Sequence, residues 1–266
     1  GFDCVVEGRA DGIFAEDGTE WIDEIKGVYR DLNLIEQPVG VHLAQALCYA
    51  YIYAAQHDLP QMGVQLTYGN LETEELKMFR ETRSREELEE WFHRLMREYE
   101  KWAAFQFEWK KIRKESIRLL EFPFPYREGQ KELAAGVYRT IARKKRLFIQ
   151  APTGVGKPIS TVFPAVKAVG EELGDRIFYL TAKTVTRTVA EEAFRILRGS
   201  GLRMKTVTLT AKEKLCVCGE TLCNPENCPY AGGHFDRIND AVFELLTKGP
   251  DELSREVLLA QAHKHR

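Results

Sequence analysis

Between Arg146 and Leu173 the chain reads as an apolar run, a glycine turn and a helix, and that order constrains the fold more than any other feature. The run "RLFIQA", Arg146 to Ala151, has the length and composition of a buried strand. Thr153, Gly154, Val155 and Gly156 form the turn, Lys157 closes it, and "ISTVFPAVKAVGEEL" continues as a helix. Such a turn presents backbone N–H groups at a helix N-terminus, where an anion is favoured. A lysine at its end reaches the β- and γ-phosphates of a bound nucleotide, and a following Ser or Thr hydroxyl holds Mg²⁺. Here the following residue is Pro158, and Ala151 stands where the strict pattern begins with glycine. The turn therefore has the shape for ATP but lacks the hydroxyl for its metal. The plain alternative is a glycine-rich turn with no ligand.

The 266 residues suffice for two domains with separate cores, and 44% hydrophobic with 29% charged residues is an ordinary globular balance. A formal charge of −2 means that contact with nucleic acid must come from local patches. No run of about 18 apolar residues is present to span a bilayer. The chain starts at Gly1 inside a strand-like pattern and stops at "AHKHR" inside a helical one, so a fragment cut at both ends is expected. Of six cysteines, Cys216, Cys218, Cys223 and Cys228 crowd together, while Cys4 and Cys48 sit in apolar segments. That clustering favours metal or cofactor binding in a reducing, cytoplasmic compartment over a disulfide framework.

Residues 2–27 read as three strands, "FDCVVEG", "RADGIFAE" and "EWIDEIKG", the last two joined by the hairpin signal Asp17-Gly18. A helix from about Val39 to His57 follows, then the strands "MGVQLTYG" and "ELKMFRE". Ser84 with Glu87 predicts a capping box for a long helix whose apolar stripe is Leu88, Trp91, Phe92, Leu95, Tyr99 and Trp102. Its basic stretch "WKKIRK" reads as a solvated face, with phosphate contact as the alternative. "EFPFPYREGQ" breaks the pattern near residues 119–126, and beyond it helix, strand, loop, helix and strand alternate through "RIFYLTA" in the rhythm of a parallel-sheet nucleotide domain.

Asp11 falls on one arm of the predicted hairpin and Glu24 and Lys26 on the other. Residues two apart on a strand share a face, and the hairpin sets Asp11 beside them. Two carboxylates next to an ammonium make a site for Mg²⁺ or Mn²⁺ and an activated water, with Lys26 orienting the water or helping to deprotonate it. Gln45 and Tyr49 share a helix face, with His42 a turn earlier.

Taken together, the G-x-x-D element ending at Asp11, the E-x-K element Glu24-Ile25-Lys26 and the Q-x-x-x-Y helix Gln45 to Tyr49 resemble the RecB-like branch of the PD-(D/E)xK nuclease superfamily. The resemblance covers residues 1 to about 115. It implies a mixed sheet flanked by helices and a catalytic set of Asp11, Glu24, Lys26, Gln45 and Tyr49.

Arg127 and Gln130 precede the glycine turn by about twenty residues, where superfamily 2 helicases carry an adenine-reading glutamine. "FYLTAKTVT" beyond the turn resembles the segment of those helicases that contacts single-stranded DNA. The segment "KLCVCGETLCNPENCPY" is similar to the iron–sulfur insertion of XPD/DinG-type helicases. That resemblance implies Cys216, Cys223 and Cys228 as ligands of a 4Fe–4S cluster, with Cys218 a spare thiol or a substitute. Zinc is the alternative metal, although paired C-x-x-C knuckles are absent.

The combined expectation is a nuclease–helicase fusion. A PD-(D/E)xK nuclease domain would span 1–118, the first part of a RecA-like parallel-sheet motor 119–208, and an iron–sulfur insertion 209–266. It would bind ATP through Arg127, Gln130, Thr153, Gly154, Val155, Gly156 and Lys157, and cut DNA that is single-stranded or carries a single-stranded tail. The competing readings are a non-catalytic DNA-binding scaffold with decayed sites and a zinc-dependent binding module.

Overall fold

Asp17 and Gly18 both adopt positive φ, 50° and 77°, as the two-residue turn between β1, Gly12–Glu16, and β2, Thr19–Val28, in the computed structural model of the chain. The structure describes residues 1–266 except 153, 155, 182, 183, 219–222 and 225, and residues 184–186 by their backbone alone. The protein is a mixed α/β chain that divides into two units, Gly1–Ala104 and Phe105–Arg266.

In the first unit β3, Gln61–Asn70, pairs parallel with β2 and antiparallel with β4, Leu76–Ser84, giving a mixed sheet of order β1-β2-β3-β4. The parallel pair needs a crossover, and α1, Gly40–His57, supplies it after a 3-10 turn at Leu32–Leu34. One face of the sheet carries Ile22, Val64, Leu66 and Tyr68, which pack with Ala46, Leu47, Ala50 and Ala54 of α1 and with Leu88. The capping box forms as the spacing predicts: Ser84 N donates to Glu87 Oε2 at 2.9 Å and Glu87 N to Ser84 Oγ at 3.2 Å, opening α2, Arg85–Arg118.

The segment 2–8 is not the strand that its alternation predicts. Phe2, Cys4 and Val6 instead line a cavity of about 570 Å³ with Tyr51 and Ile52 of α1 and Phe92 and Met96 of α2. The alternating apolar side chains are thus turned toward helices, and no ladder partner is taken up. Asp11, expected on a strand, lies one residue before β1.

In the second unit α3, Gln130–Ala142, α4, Lys157–Gly170, and α5, Thr184–Gly199, follow the C-terminal part of α2. Ile117 and Leu120 pack with Val162, Val166 and Val169 of α4 and with Ala193, Phe194 and Leu197 of α5. Lys167 Nζ donates to the carbonyls of Ile117 (3.0 Å) and Leu120 (3.2 Å), tying α4 to the end of α2 and the residues after it. Beyond α5, β5 (Thr206–Val207) pairs parallel with β6 (Glu252–Leu253), and α6 (Lys212–Leu215), α7 (His234–Lys248) and α8 (Arg255–Lys264) complete the unit.

The parallel-sheet rhythm predicted for this unit is only half present. Its helices form, but 146–151 and 176–181 are not in strands among the described residues. Parallel strands are stabilised by burial on both faces. Phe148, Phe178 and Leu180 remain 93%, 77% and 88% exposed, so that driving force is not realised here. Among the described residues no helix is long and apolar enough to cross a membrane.

Candidate functional site

Alternation along β2 decides the chemistry of the first unit. Ile22, Glu24 and Lys26 point to the α1 side, and Asp23 to the other. Glu24 is only 1% exposed. Its Oε1 pairs with Lys26 Nζ, while its Oε2 is buried with no partner among the described residues. Asp23 is fully satisfied, because Gln65 Nε2 and Thr67 Oγ1 each donate to it at 2.8 Å.

Lys26 Nζ also donates to Gln45 Oε1 at 3.3 Å, and Gln45 Nε2 to Tyr49 OH at 3.5 Å. The i,i+4 spacing therefore runs from the E-x-K strand along α1 as one connected line of polar groups. Asp11 Oδ2 accepts the Ile25 backbone N–H at 3.0 Å, which ties its carboxylate to the strand between Glu24 and Lys26. The β1–β2 register ends with Gly12 opposite Asp23, one residue after Asp11. Glu24, Lys26, Gln45 and Tyr49 are thus joined by hydrogen bonds, while Asp11 is tied to the strand backbone between the first two. Gly8 approaches this group too: a Cβ there would lie 2.6 Å from Tyr49 Cε1.

Two residues join them that spacing alone did not assign. Tyr68 is the register partner of Lys26 on β3, and its hydroxyl lies 3.0 Å from His42 Nδ1. Burial, and then the charge of Lys26, hold the His42 pKa below its usual 6.5, with Glu24 opposing them. The sequence signal for His42 was its place one turn before Gln45; Tyr68 carried none.

A metal ion fits the chemistry of this end of the sheet, because a buried carboxylate oxygen without a donor is costly unless a cation or a proton meets it. Glu24 and Asp11 are the residues that would offer oxygens to it. Among the described residues, however, no group of three or more His, Cys, Asp and Glu is arranged as a complete metal site.

In the second unit Gly154 and Gly156 take φ of 87° and 68°, the left-handed values that let the turn close onto α4. Lys157 opens the helix and folds its Nζ back on the turn, donating to Ala151 O at 2.9 Å and Pro152 O at 2.7 Å. Arg127 Nη1 donates to Gly154 O at 2.7 Å, and Arg127 N to Gln130 Oε1 at 2.9 Å. Gln130 is buried against the turn, its Nε2 lying 2.5 Å from where a Cβ on Gly156 would stand. The pair predicted to accompany the loop is therefore in contact with it. Thr153 and Val155 lie outside the described residues. Pro158 sits in the first turn of α4. Thr161 Oγ1 donates within the helix to Lys157 O and Pro158 O, both at 3.0 Å, and Ser160 is fully buried.

The cysteines gather differently from their predicted ligand set. Cys218 Sγ lies 4.0 Å from Cys228 Sγ, and Cys216 interacts with Cys218 as well. Cys223 instead faces Lys212, whose pKa it raises. The backbone N–H of Tyr230, with that of Ala231, holds the Cys228 thiol below its usual value against desolvation. Cys228 thus lies by Cys218, the residue expected to be a spare thiol or a substitute ligand, and Cys216 is near Cys218 as well.

No protein-family model matches the chain, and no solved structure matches it. A stretch of 47 residues is 43% identical to a protein named probable ATP-dependent helicase from Methanocaldococcus jannaschii. It covers 17% of this chain and 7% of that protein, so the likeness is to a helicase over a short segment.

Proposed function

We propose that the first unit is a metal-dependent nuclease that cuts DNA, joined to part of an ATP-dependent helicase. The observation that carries the nuclease reading is Glu24: a buried carboxylate paired to Lys26 on one oxygen and left without a donor on the other. Asp11 and Glu24 would hold Mg²⁺ or Mn²⁺, which when bound stabilises charge on the scissile phosphate and activates a water. Lys26, held between Glu24 and Gln45, orients that water and offers positive charge to the phosphate as negative charge builds on it. Gln45 and Tyr49 extend the polar line along which a DNA strand lies. The PD-(D/E)xK resemblance of residues 1 to about 115 and the mixed sheet order support this reading.

The helicase part rests on the glycine turn, on the Arg127 and Gln130 contacts to it, and on the 47-residue likeness. In this reading residues 119–208 belong to the nucleotide-binding motor and 209–266 to a cysteine-bearing insertion. A 4Fe–4S cluster there rests on the resemblance alone, and no step is assigned to it. Pro158 favours a second reading of the motor, a folded nucleotide domain whose ATP hydrolysis is impaired.

Incubating the chain with single-stranded DNA and Mg²⁺ or Mn²⁺ tests the first reading. Cleavage that is lost in Lys26→Ala, with circular dichroism unchanged, is the expected result. Undiminished cleavage by a well-folded Lys26→Ala protein overturns it.

A further inference from the structure

Tyr68 is 1% exposed, and its hydroxyl faces two groups, the backbone N–H of Val39 at 3.0 Å and His42 Nδ1 at 3.0 Å. The Val39 N–H can only donate, so the phenol oxygen accepts there. The phenol then has one proton left, and a buried hydroxyl proton without an acceptor loses its hydration with nothing in return. His42 Nδ1 is the acceptor within reach among the described residues. To accept, Nδ1 must carry a lone pair, and a neutral imidazole with a lone pair on Nδ1 carries its proton on Nε2.

The two ring nitrogens point in nearly opposite directions. With Nδ1 turned to the buried Tyr68, the Nε2–H lies on the other side of a partly buried ring. His42 lies three residues before Gln45 and seven before Tyr49, on the same face of α1. Tyr68 is itself the register partner of Lys26. The N–H is thus held one helical turn before Gln45 and within the field of the Lys26 ammonium, where an anion is the complementary ligand.

We infer that Tyr68 locks His42 as the Nε2–H tautomer, and that this N–H is a neutral hydrogen-bond donor to a phosphate oxygen of the DNA strand. The inference rests on the nuclease reading and adds a substrate-contacting residue outside its expected set. A neutral donor beside Lys26 adds a directional contact without bringing a second cation against the ammonium.

Two measurements test it. Imidazole nitrogen NMR of the chain at neutral pH should show His42 in the Nε2–H form, and Tyr68→Phe should shift it to a mixture of tautomers. An Nδ1–H form in the unaltered protein, or a pure Nε2–H form in Tyr68→Phe, overturns the lock without reference to activity. For the substrate contact, His42→Ala should lower kcat/KM on single-stranded DNA by roughly ten- to a hundredfold, the range for a hydrogen bond to a charged group. His42→Gln, which carries an N–H donor near the Nε2 position, should recover most of that loss, and His42→Asn, whose amide falls short, should not. Full activity in His42→Ala while Lys26→Ala is inactive removes the contact and leaves the nuclease reading standing. Full activity in both variants removes the nuclease reading and the contact with it.

Discussion

Asp23 and Glu24 are adjacent on β2 and face opposite sides of the sheet in opposite electrostatic conditions: the first accepts two hydrogen bonds of 2.8 Å, the second keeps a buried oxygen with no donor. The difference is set by what lies across the register. Gln65 and Thr67 bring polar side chains to Asp23, whereas the α1 side gives Glu24 the apolar core and Lys26. A buried carboxylate half satisfied is a cost to the metal-free protein that a cation relieves.

Glu24→Gln should therefore leave the metal-free protein as stable as before or more so, because a neutral amide is cheaper to bury and the partly exposed Lys26 can turn to water. The unaltered protein should gain thermal stability on adding Mg²⁺, by about 2.7 kcal/mol once the free ion exceeds its Kd a hundredfold. The variant should gain far less. Calorimetry with chelator and with Mg²⁺ reads both quantities, and equal gains in the two proteins would exclude Glu24 as a ligand.

Gly8→Ala tests the neighbourhood of the Q-x-x-x-Y helix. The added methyl would meet Tyr49 at 2.6 Å from Cε1 and 2.8 Å from the hydroxyl, so the ring must swing away from Gln45. Gly8 is exposed, so the change in stability should stay within about 0.5 kcal/mol. DNA cleavage should nevertheless fall several-fold. An unchanged rate with an unchanged melting temperature would show that the position of Tyr49 does not matter to the reaction.

The site was legible where chemistry follows chain geometry. Glu24 and Lys26 share a face because strands alternate, and Gln45 and Tyr49 because helices repeat near four. Tyr68 was not legible, because its place beside Lys26 is set by the β2–β3 register and no local pattern encodes it. Apolar runs misled at 2–8, 146–151 and 176–181 for a related reason: they report β-propensity, whereas a strand also needs a ladder partner. Cysteine spacing likewise named the cluster of thiols but not which of them meet, since Cys218 and not Cys223 lies by Cys228.

Glu244 on α7 gives the second unit a pH response. It accepts from Lys264, from His265 Nε2 at 2.8 Å and from Gln261 Nε2 at 3.1 Å, and these donors, Lys264 first, lower its pKa to about 2. A folded-state pKa below the unfolded value of about 4.3 means that the stabilisation is present above that pH and is lost as pH falls toward 2. Amide exchange in α7 and α8 should accelerate across that window, less so at high salt because the group is partly exposed. Glu244→Gln should remove the dependence; persistence of the same pH profile in that variant would assign it to another carboxylate.

Pro158 decides whether the glycine turn can power a motor. Proline is sterically acceptable in the first turn of a helix, where an N–H has no intrahelical partner, and α4 accordingly begins at Lys157 with Pro158 inside that turn. The fold is kept, but a hydroxyl for Mg²⁺ and a backbone N–H for phosphate are both absent. Among the described residues, Thr161 Oγ1 is bonded to Lys157 O and Pro158 O, and Ser160 is fully buried inside α4. Each lost hydrogen bond to a charged group is worth about 1.5 to 3 kcal/mol. Two such losses weaken Mg-ATP binding by roughly two to four powers of ten. Lys157 must in addition leave the carbonyls of Ala151 and Pro152 before it can reach a phosphate. The unaltered chain should therefore bind nucleotide weakly and with little dependence on Mg²⁺. Pro158→Thr should raise Mg-ATP affinity by about a hundredfold or more, measured by titration calorimetry with and without the metal. Equal affinity and equal Mg²⁺ dependence in the two proteins would mean that another group places the metal, and that the proline is a neutral substitution.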